Sequence, residues 1–295
     1  MRTNSLIISI VSVLIISTQA LCCSSFAVYS DKTIYGMNFD YGKFPMKLKI
    51  EESKGVKTFH LSFQRPVGEG RKMWANTAGM NSNGFFGALQ EEYSEKIKPT
   101  PPGKDTIFIH HLYRNINNKG DVATLETICN EKKLIQFMGI KIHGLFADKT
   151  GNAIITEAGD EKNHLIKRKE KFIVMTNFPN RSLKGKTYKE AKGIGDKRYI
   201  AGYEYIQKHL NKFDINKGMT ALGLMKNKNP GYPTNCSMVF DPVSNNIYVS
   251  LLTNYKKVFK ISLNNKTLTT FKGFKKISKF KLDANGILVS KLLTL

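Results

Sequence analysis

Cysteine is scarce in this chain, and two of its four copies stand side by side at Cys22 and Cys23. Ala20-Leu21-Cys22 has the small-x-small form of a leader cleavage site, with the cut falling before Cys23. Upstream, Arg2 is the only charge, and Leu6 to Ile16 is apolar apart from Ser9 and Ser12. This is the charged end and apolar centre of a signal peptide over residues 1–22, too short for a membrane span. An uncleaved anchor is the alternative. A lipidated cysteine is not expected, because such signals place small residues directly before it. A chain beginning at Cys23 carries a nucleophile with its own base. A free α-amine has a pKa near ~7.7–8.0, against ~10.4 for lysine, so it can take the thiol proton at neutral pH.

Other candidates for chemistry are weaker. His110-His111 point to different faces of an expected helix and have no third ligand, so no metal is expected. No G-x-S-x-G elbow, P-loop or dinucleotide fingerprint occurs, and no cofactor is expected. After a cut before Cys23, the cysteines left are Cys23, Cys129 and Cys236, whose spacing suggests neither a disulfide framework nor a zinc site. Asn180-Arg-Ser182, Asn235-Cys-Ser237 and Asn265-Lys-Thr267 are glycosylation sequons of the kind an asparagine-rich chain contains by chance.

The elements around Cys23 read mainly as short strands. Ser25–Tyr29 and Thr33–Phe39 flank Ser30-Asp31-Lys32 as a hairpin. Thr58–Phe63, Met73–Ala78 and Phe85–Gln90 follow, the last two joined by a turn at Asn81-Ser-Asn-Gly84. Thr100-Pro-Pro-Gly103 reads as a loop ahead of a helical stretch from Asp105 to Asn130. Strands are expected at Ile142–Ala147, Ala153–Thr156 and Phe172–Thr176, then helices at Tyr199–Leu210 and Lys217–Met225. Met238–Phe240, Ile247–Leu252, Val258–Ile261 and Leu268–Phe271 complete the strands. Two sheets between helical layers in a single domain over residues 23–295 would produce this order. A bare β-sandwich is the rival.

Cys23-Ser-Ser-Phe26 followed by Tyr35-Gly-Met-Asn-Phe-Asp-Tyr41 resembles the start of linear amide C–N hydrolases: choloylglycine hydrolase, penicillin V acylase and isopenicillin-N acyltransferase-like enzymes. Five further segments resemble that family, in its order: Asn76–Gly84, His143–Asn152 with Glu157, Met175–Pro179, Gly195–Tyr199 and Thr234–Met238. The resemblance implies the α+β, four-layer αββα fold of N-terminal-nucleophile hydrolases. It implies Cys23 as nucleophile, Asp40 holding the ammonium or sulfur, Asn177 in the oxyanion hole and Arg198 beside the nucleophile. Gln90 stands where the family has a second oxyanion asparagine, and Met37 where bile-salt hydrolases have arginine, which argues against bile salts. Many relatives are tetramers, so a homo-oligomer is an expectation. The implied substrate is a small-molecule N-acyl amide, cleaved through a thioester. An acyltransferase is the near alternative, and a non-catalytic basic surface-binding protein the distant one.

The formal charge is +23, with Lys and Arg outnumbering Asp and Glu 46 to 23. This suits an anionic envelope surface, or is a lysine-rich bias on a solvated face, which the abundant Asn and Ile favour. No nucleic-acid motif accompanies the charge. The chain is thus expected to act outside the cytoplasm, secreted or on the envelope, and to begin at Cys23. Intact mass and N-terminal sequencing of the exported protein check this. Retention of Met1, or lipid on Cys22, would remove the α-amine base.

Overall fold

The computed structural model describes residues 23–42, 44–67, 70–93, 100–136 and 140–295. The expected leader, residues 1–22, lies outside the described residues. In chain order the elements are β1 (Ser24–Tyr29), β2 (Thr33–Asp40), β3 (Met46–Ser53), β4 (Val56–Pro66), β5 (Lys72–Asn81), β6 (Phe86–Glu91) and β7 (Thr106–Phe108). Next come α1 (Ile109–Tyr113), α2 (Val122–Glu131), β8 (Lys133–Ile135), β9 (Ile142–Ala147), β10 (Ala153–Glu157), β11 (His164–Lys167) and β12 (Phe172–Met175). Then follow α3 (Asp196–His209), α4 (Ile215–Leu224), β13 (Thr234–Asp241), β14 (Asn246–Leu251), β15 (Val258–Ser262), β16 (Thr267–Lys272), β17 (Lys279–Lys281), β18 (Ile287–Leu288) and α5 (Val289–Leu292).

Among the described residues the strands make two eight-stranded antiparallel sheets and one parallel pair, β7 with β8. The first sheet runs β12-β1-β2-β13-β14-β15-β16-β17, the second β11-β10-β9-β6-β5-β4-β3-β18. Period-two burial gives each sheet two faces. The facing sides meet in one apolar cluster, where Tyr35 stacks on Phe86 at 5.1 Å and Phe39 meets Phe63 at 5.2 Å. The other side of the first sheet packs on α3 and α4 through Phe26, Ile34, Ile206 and Leu222. The second sheet packs on α1 and α2 through Leu89, Leu112, Leu125 and Phe146. Helices thus lie against both sheets, which is more than a bare β-sandwich carries.

The β1–β2 hairpin forms at the expected register, with Tyr29 opposite Thr33. Asp40 ends β2 rather than lying beyond it. The expected Asp105–Asn130 helix is broken: Thr106–Phe108 is extended, and a 3-10 turn over Arg114–Asn117 separates α1 from α2. Asp121 restarts the helix by accepting from the Thr124 amide at 2.8 Å. At Asn81–Gly84 the Asn81 side chain accepts from the Asn83 and Phe85 amides, and Gly84 takes φ +81°.

Gly79 lets β5 approach its neighbours. A methyl group there would lie 2.3 Å from the Phe59 carbonyl oxygen and 2.8 Å from the Tyr113 hydroxyl. Backbone cannot yield as a side chain can, so Gly79→Ala should cost about 1–3 kcal/mol of stability. Urea unfolding midpoints of the two proteins measure this.

Candidate active site

Strand alternation sorts the first residues of the described chain. Phe26 and Val28 of β1 face the helices, while Ala27 and Cys23, just before the strand, face the second sheet. Ser24 joins the helix side, donating to the Met225 carbonyl at 3.3 Å, and Ser25 reaches Gln90 of the second sheet. In β2, Asn38 donates to the Leu222 carbonyl of α4 at 2.8 Å. Ser24 pairs with Asn38, so continuing the register sets Asp40 at the amino side of Cys23. Two residues beyond the register pair, an aspartate therefore stands where a freed α-amine would form.

Arg198 draws these parts together. Gly195 begins α3 with φ +88°, and a methyl there would lie 2.9 Å from an Arg198 terminal nitrogen. Only glycine suits both the backbone and the space. From the first turn of α3, Arg198 Nη1 donates to the Cys23 carbonyl (3.1 Å), Ser24 Oγ (2.7 Å) and Asp40 Oδ2 (3.1 Å). Its Nη2 donates to Asn177 Oδ1 at 2.6 Å. One planar guanidinium thereby fixes four groups on β1, β2 and the segment after β12.

Asp40 is fully buried. Burial pushes its carboxyl up to about 7, against the downward pull of Arg198 and of Thr234, whose hydroxyl donates to Oδ1 at 2.5 Å. Thr234 opens the segment that resembles a late family strand, and that strand, β13, lies beside β2. Its partnership with Asp40 carried no sequence signal beyond that placement.

The remaining expected residues converge from the other side. With its amide oriented to satisfy both neighbours, Gln90 donates to the Cys23 carbonyl at 3.1 Å and accepts from the Ser25 amide at 3.1 Å. Gln90 thus holds the backbone at Cys23 and Ser25. Asn177 Nδ2 donates to the Glu91 carbonyl at 2.8 Å, and its carbonyl accepts from the Tyr93 amide at 2.7 Å. Cys23, Asp40, Asn177, Arg198 and Gln90 all meet at one end of the facing sheets.

A second buried cluster, missed in the sequence, lies next to them. Glu157 accepts from the Asn180 and Arg181 amides at 2.5 and 3.2 Å. Arg181 Nη1 bridges Glu92 at 2.9 Å and Glu157 at 3.0 Å. Burial alone would raise the Glu157 carboxyl, but His143, Arg181 and the Asn180 amide hold it below the usual range. Donor atoms of Glu92, His143 and Glu157 lie within 4.8 Å of one another, a spacing a metal could use. Arg181 already supplies positive charge there, and the carboxylates are bound to it and to backbone. The cluster clamps the turn that follows Asn177. Only the His143 and Glu157 positions carried a hint, through the hairpin resemblance.

The other candidates take no part in these contacts, although Cys236 lies opposite Phe39 of β2. Cys236 is buried, with its thiol pushed far up, and burial raises Cys129 to about 12. His110 and His111 lie on α1. Asn180 and Asn235 are buried and donate to the Val174 and Tyr41 carbonyls, so those sequons suit no glycan.

No protein-family model matches the chain, and no curated protein matches it. Solved structures do. Penicillin V acylase from Agrobacterium tumefaciens superposes with TM-score 0.61 at 14% identity, over 90% of this chain and 93% of that one. A mutant conjugated bile acid hydrolase from Clostridium perfringens superposes with TM-score 0.58 at 14% identity, over 88% of this chain and 97% of that one. A second variant of that hydrolase gives 0.58 at 15% identity. At such identity the likeness is one of fold, and this chain has the fold shared by those two amide hydrolases, as the residues around Cys23 suggested.

Proposed function

We propose that this chain is an amidase of the N-terminal-nucleophile type, exported, processed before Cys23 and active on a small-molecule linear N-acyl amide. The observation that carries the reading is Arg198, whose guanidinium holds the Cys23 carbonyl, Asp40 and Asn177 together. The αββα layering of such enzymes accords with helices packed on both sheets.

In this reading the α-amine of Cys23 takes the Sγ proton, and the thiolate attacks the substrate carbonyl carbon. Asn177 and Arg198 lie beside the nucleophile, where donors stabilise an oxyanion in a dry site. Arginine nearby also favours thiolate over thiol. The tetrahedral intermediate expels the amine, which receives the proton from the α-ammonium, and a thioester on Cys23 remains. Water, deprotonated by the same amine, attacks the thioester and releases the acid and the thiol. Asp40 orients the ammonium throughout. Gln90 acts on the nucleophile through the Cys23 carbonyl rather than as an oxyanion donor. An amine in place of water would make the same thioester an acyl donor.

Cys23→Ala should abolish cleavage of penicillin V and other N-acyl amides, and labelling by iodoacetamide at that site, with an unchanged far-UV spectrum. Cys129→Ala and Cys236→Ala should stay active. Free acid released without an added amine separates hydrolysis from transfer. Normal turnover by Cys23→Ala would sink the reading.

Asp40→Asn keeps the shape and removes the charge. A carboxylate beside an α-amine raises the amine's pKa. Its loss should lower kcat by about 10² or more and move the acidic limb of the pH–rate profile to lower pH. An unmoved profile with near-wild-type kcat would place Asp40 outside the chemistry.

A further inference from the structure

The positive charge is not spread evenly. Between residues 256 and 291 stand ten lysines and a single acidic residue, Asp283. Strands β15 to β17 of this segment form the far edge of the first sheet, away from β1, and its last residues pass to β18 and α5 beside β3. Its register lines up two rows across the strands. One row is Tyr248, Lys260, Thr269 and Lys279; the next is Asn246, Ser262, Thr267 and Lys281. The alternate row, Ile247, Ile261, Leu268 and Phe280, faces the apolar core between the sheets. The polar rows therefore form the outer face. Lys279 and Lys281 are exposed on the edge strand, and Lys260 sits over the Tyr248 ring at 6.0 Å.

This basic face is bordered by apolar surface. A groove of about 420 Å³ runs between α4 and the band, lined by Ile215, Met219, Leu224, Tyr248 and Phe271, with Lys272 beside them. Phe271 is 57% and Leu224 49% exposed. In the β16–β17 connection Ile277 is 90% exposed between exposed lysines at 276 and 279.

We propose that this face docks the protein on an anionic phospholipid bilayer. Lysines match lipid phosphates, while Phe271, Leu224 and Ile277 enter the headgroup boundary. A soluble polyanion or nucleic acid would use the lysines but offers nothing to Ile277 and the groove, which is why the bilayer is the partner. The lysine rows and Ile277 lie on β15 to β17 and their connections, at the far end of the strand order from β1, so docking through them and amide cleavage are separable.

Sedimentation with vesicles tests this. Vesicles of phosphatidylcholine alone are compared with vesicles containing 30% phosphatidylglycerol (a composition of roughly physiological charge), at low and high salt. All proteins are taken in the same form, so residues 1–22, present or removed, contribute equally. Each lysine at an anionic surface strengthens adsorption by about fivefold. The anionic vesicles should bind at least about tenfold more tightly. Combined Lys260→Gln, Lys279→Gln and Lys281→Gln should weaken that binding by at least about tenfold, and Phe271→Ser with Ile277→Ser by several-fold. Cys23 labelling should stay at the wild-type level in both variants. Equal binding to neutral vesicles, or an unaffected lysine variant, overturns the proposal. Loss in the lysine variant with full binding by the apolar variant also overturns it, pointing to a soluble polyanion instead.

Discussion

The end of the molecule that holds Cys23 depends on one guanidinium. Arg198 is shared among the Cys23 carbonyl, Ser24, Asp40 and Asn177, which come from three separate stretches of chain. A buried Asp40 without this partner would be a desolvated charge, and removing one member of such a pair costs about 3–5 kcal/mol. The arrangement constrains everything near it. α3 must start with glycine at Gly195, β1 and β2 must pair in one register, and the turn after β12 must present Asn177 to the same point. A register slip of one residue would send Ser24 and Asp40 to the face between the sheets and break all of these contacts at once.

The same alternation explains how one strand end can serve two tasks. Side chains on the helix side of the first sheet, Ser24 and Asp40, engage Arg198. Side chains on the other side, Cys23 and Ser25, face the second sheet. The backbone of Cys23 lies between these two sets and is gripped from both, by Arg198 and by Gln90 at the same carbonyl. The start of β1 is therefore fixed through its main chain, while the Cys23 side chain faces the space between the sheets. Gln90 and Asn177 are held by different partners. The former is committed to the strand, whereas the latter has its carbonyl oxygen on the arginine and its amide toward the Glu91 carbonyl.

Local elements were legible in the sequence wherever short-range signals governed them. The β1–β2 hairpin, the Asn81–Gly84 turn and α3 and α4 follow from turn chemistry, alternation and 3.6-residue spacing. β3 went unassigned although Met46, Leu48 and Ile50 alternate with lysine and glutamate, because the segment lacks a flanking turn signal as strong as Asn-Gly. The Asp105–Asn130 stretch read as one helix because periodicity does not register the 3-10 break at Arg114–Asn117. Cys23 was legible from the cleavage site before it, whereas Asp40, Asn177, Arg198 and Gln90 were legible only through the family resemblance. Cys23 and Arg198 lie 175 positions apart, and no local rule connects them. Thr234, Ser24 and the Glu157–Arg181–Glu92 clamp were missed for the same reason: their roles arise only when distant strands become neighbours.

The clamp also shows how charge is handled near Cys23. Glu92, Glu157 and Asp40 are buried, and each is bound to an arginine from a neighbouring segment. Arginine suits this task because its planar fork stays charged and satisfies several acceptors at once, where a lysine would offer a hydrated point charge. Ten lysines stand between residues 256 and 291, and those on β15 to β17 lie at the far edge of the first sheet, whereas the buried carboxylates Asp40, Glu92 and Glu157 are each met by an arginine. The large net charge therefore does not reach the chemistry by direct contact. The lysine-rich strands β15 to β17 lie at the opposite edge of the first sheet from the buried groups that Arg198 draws together.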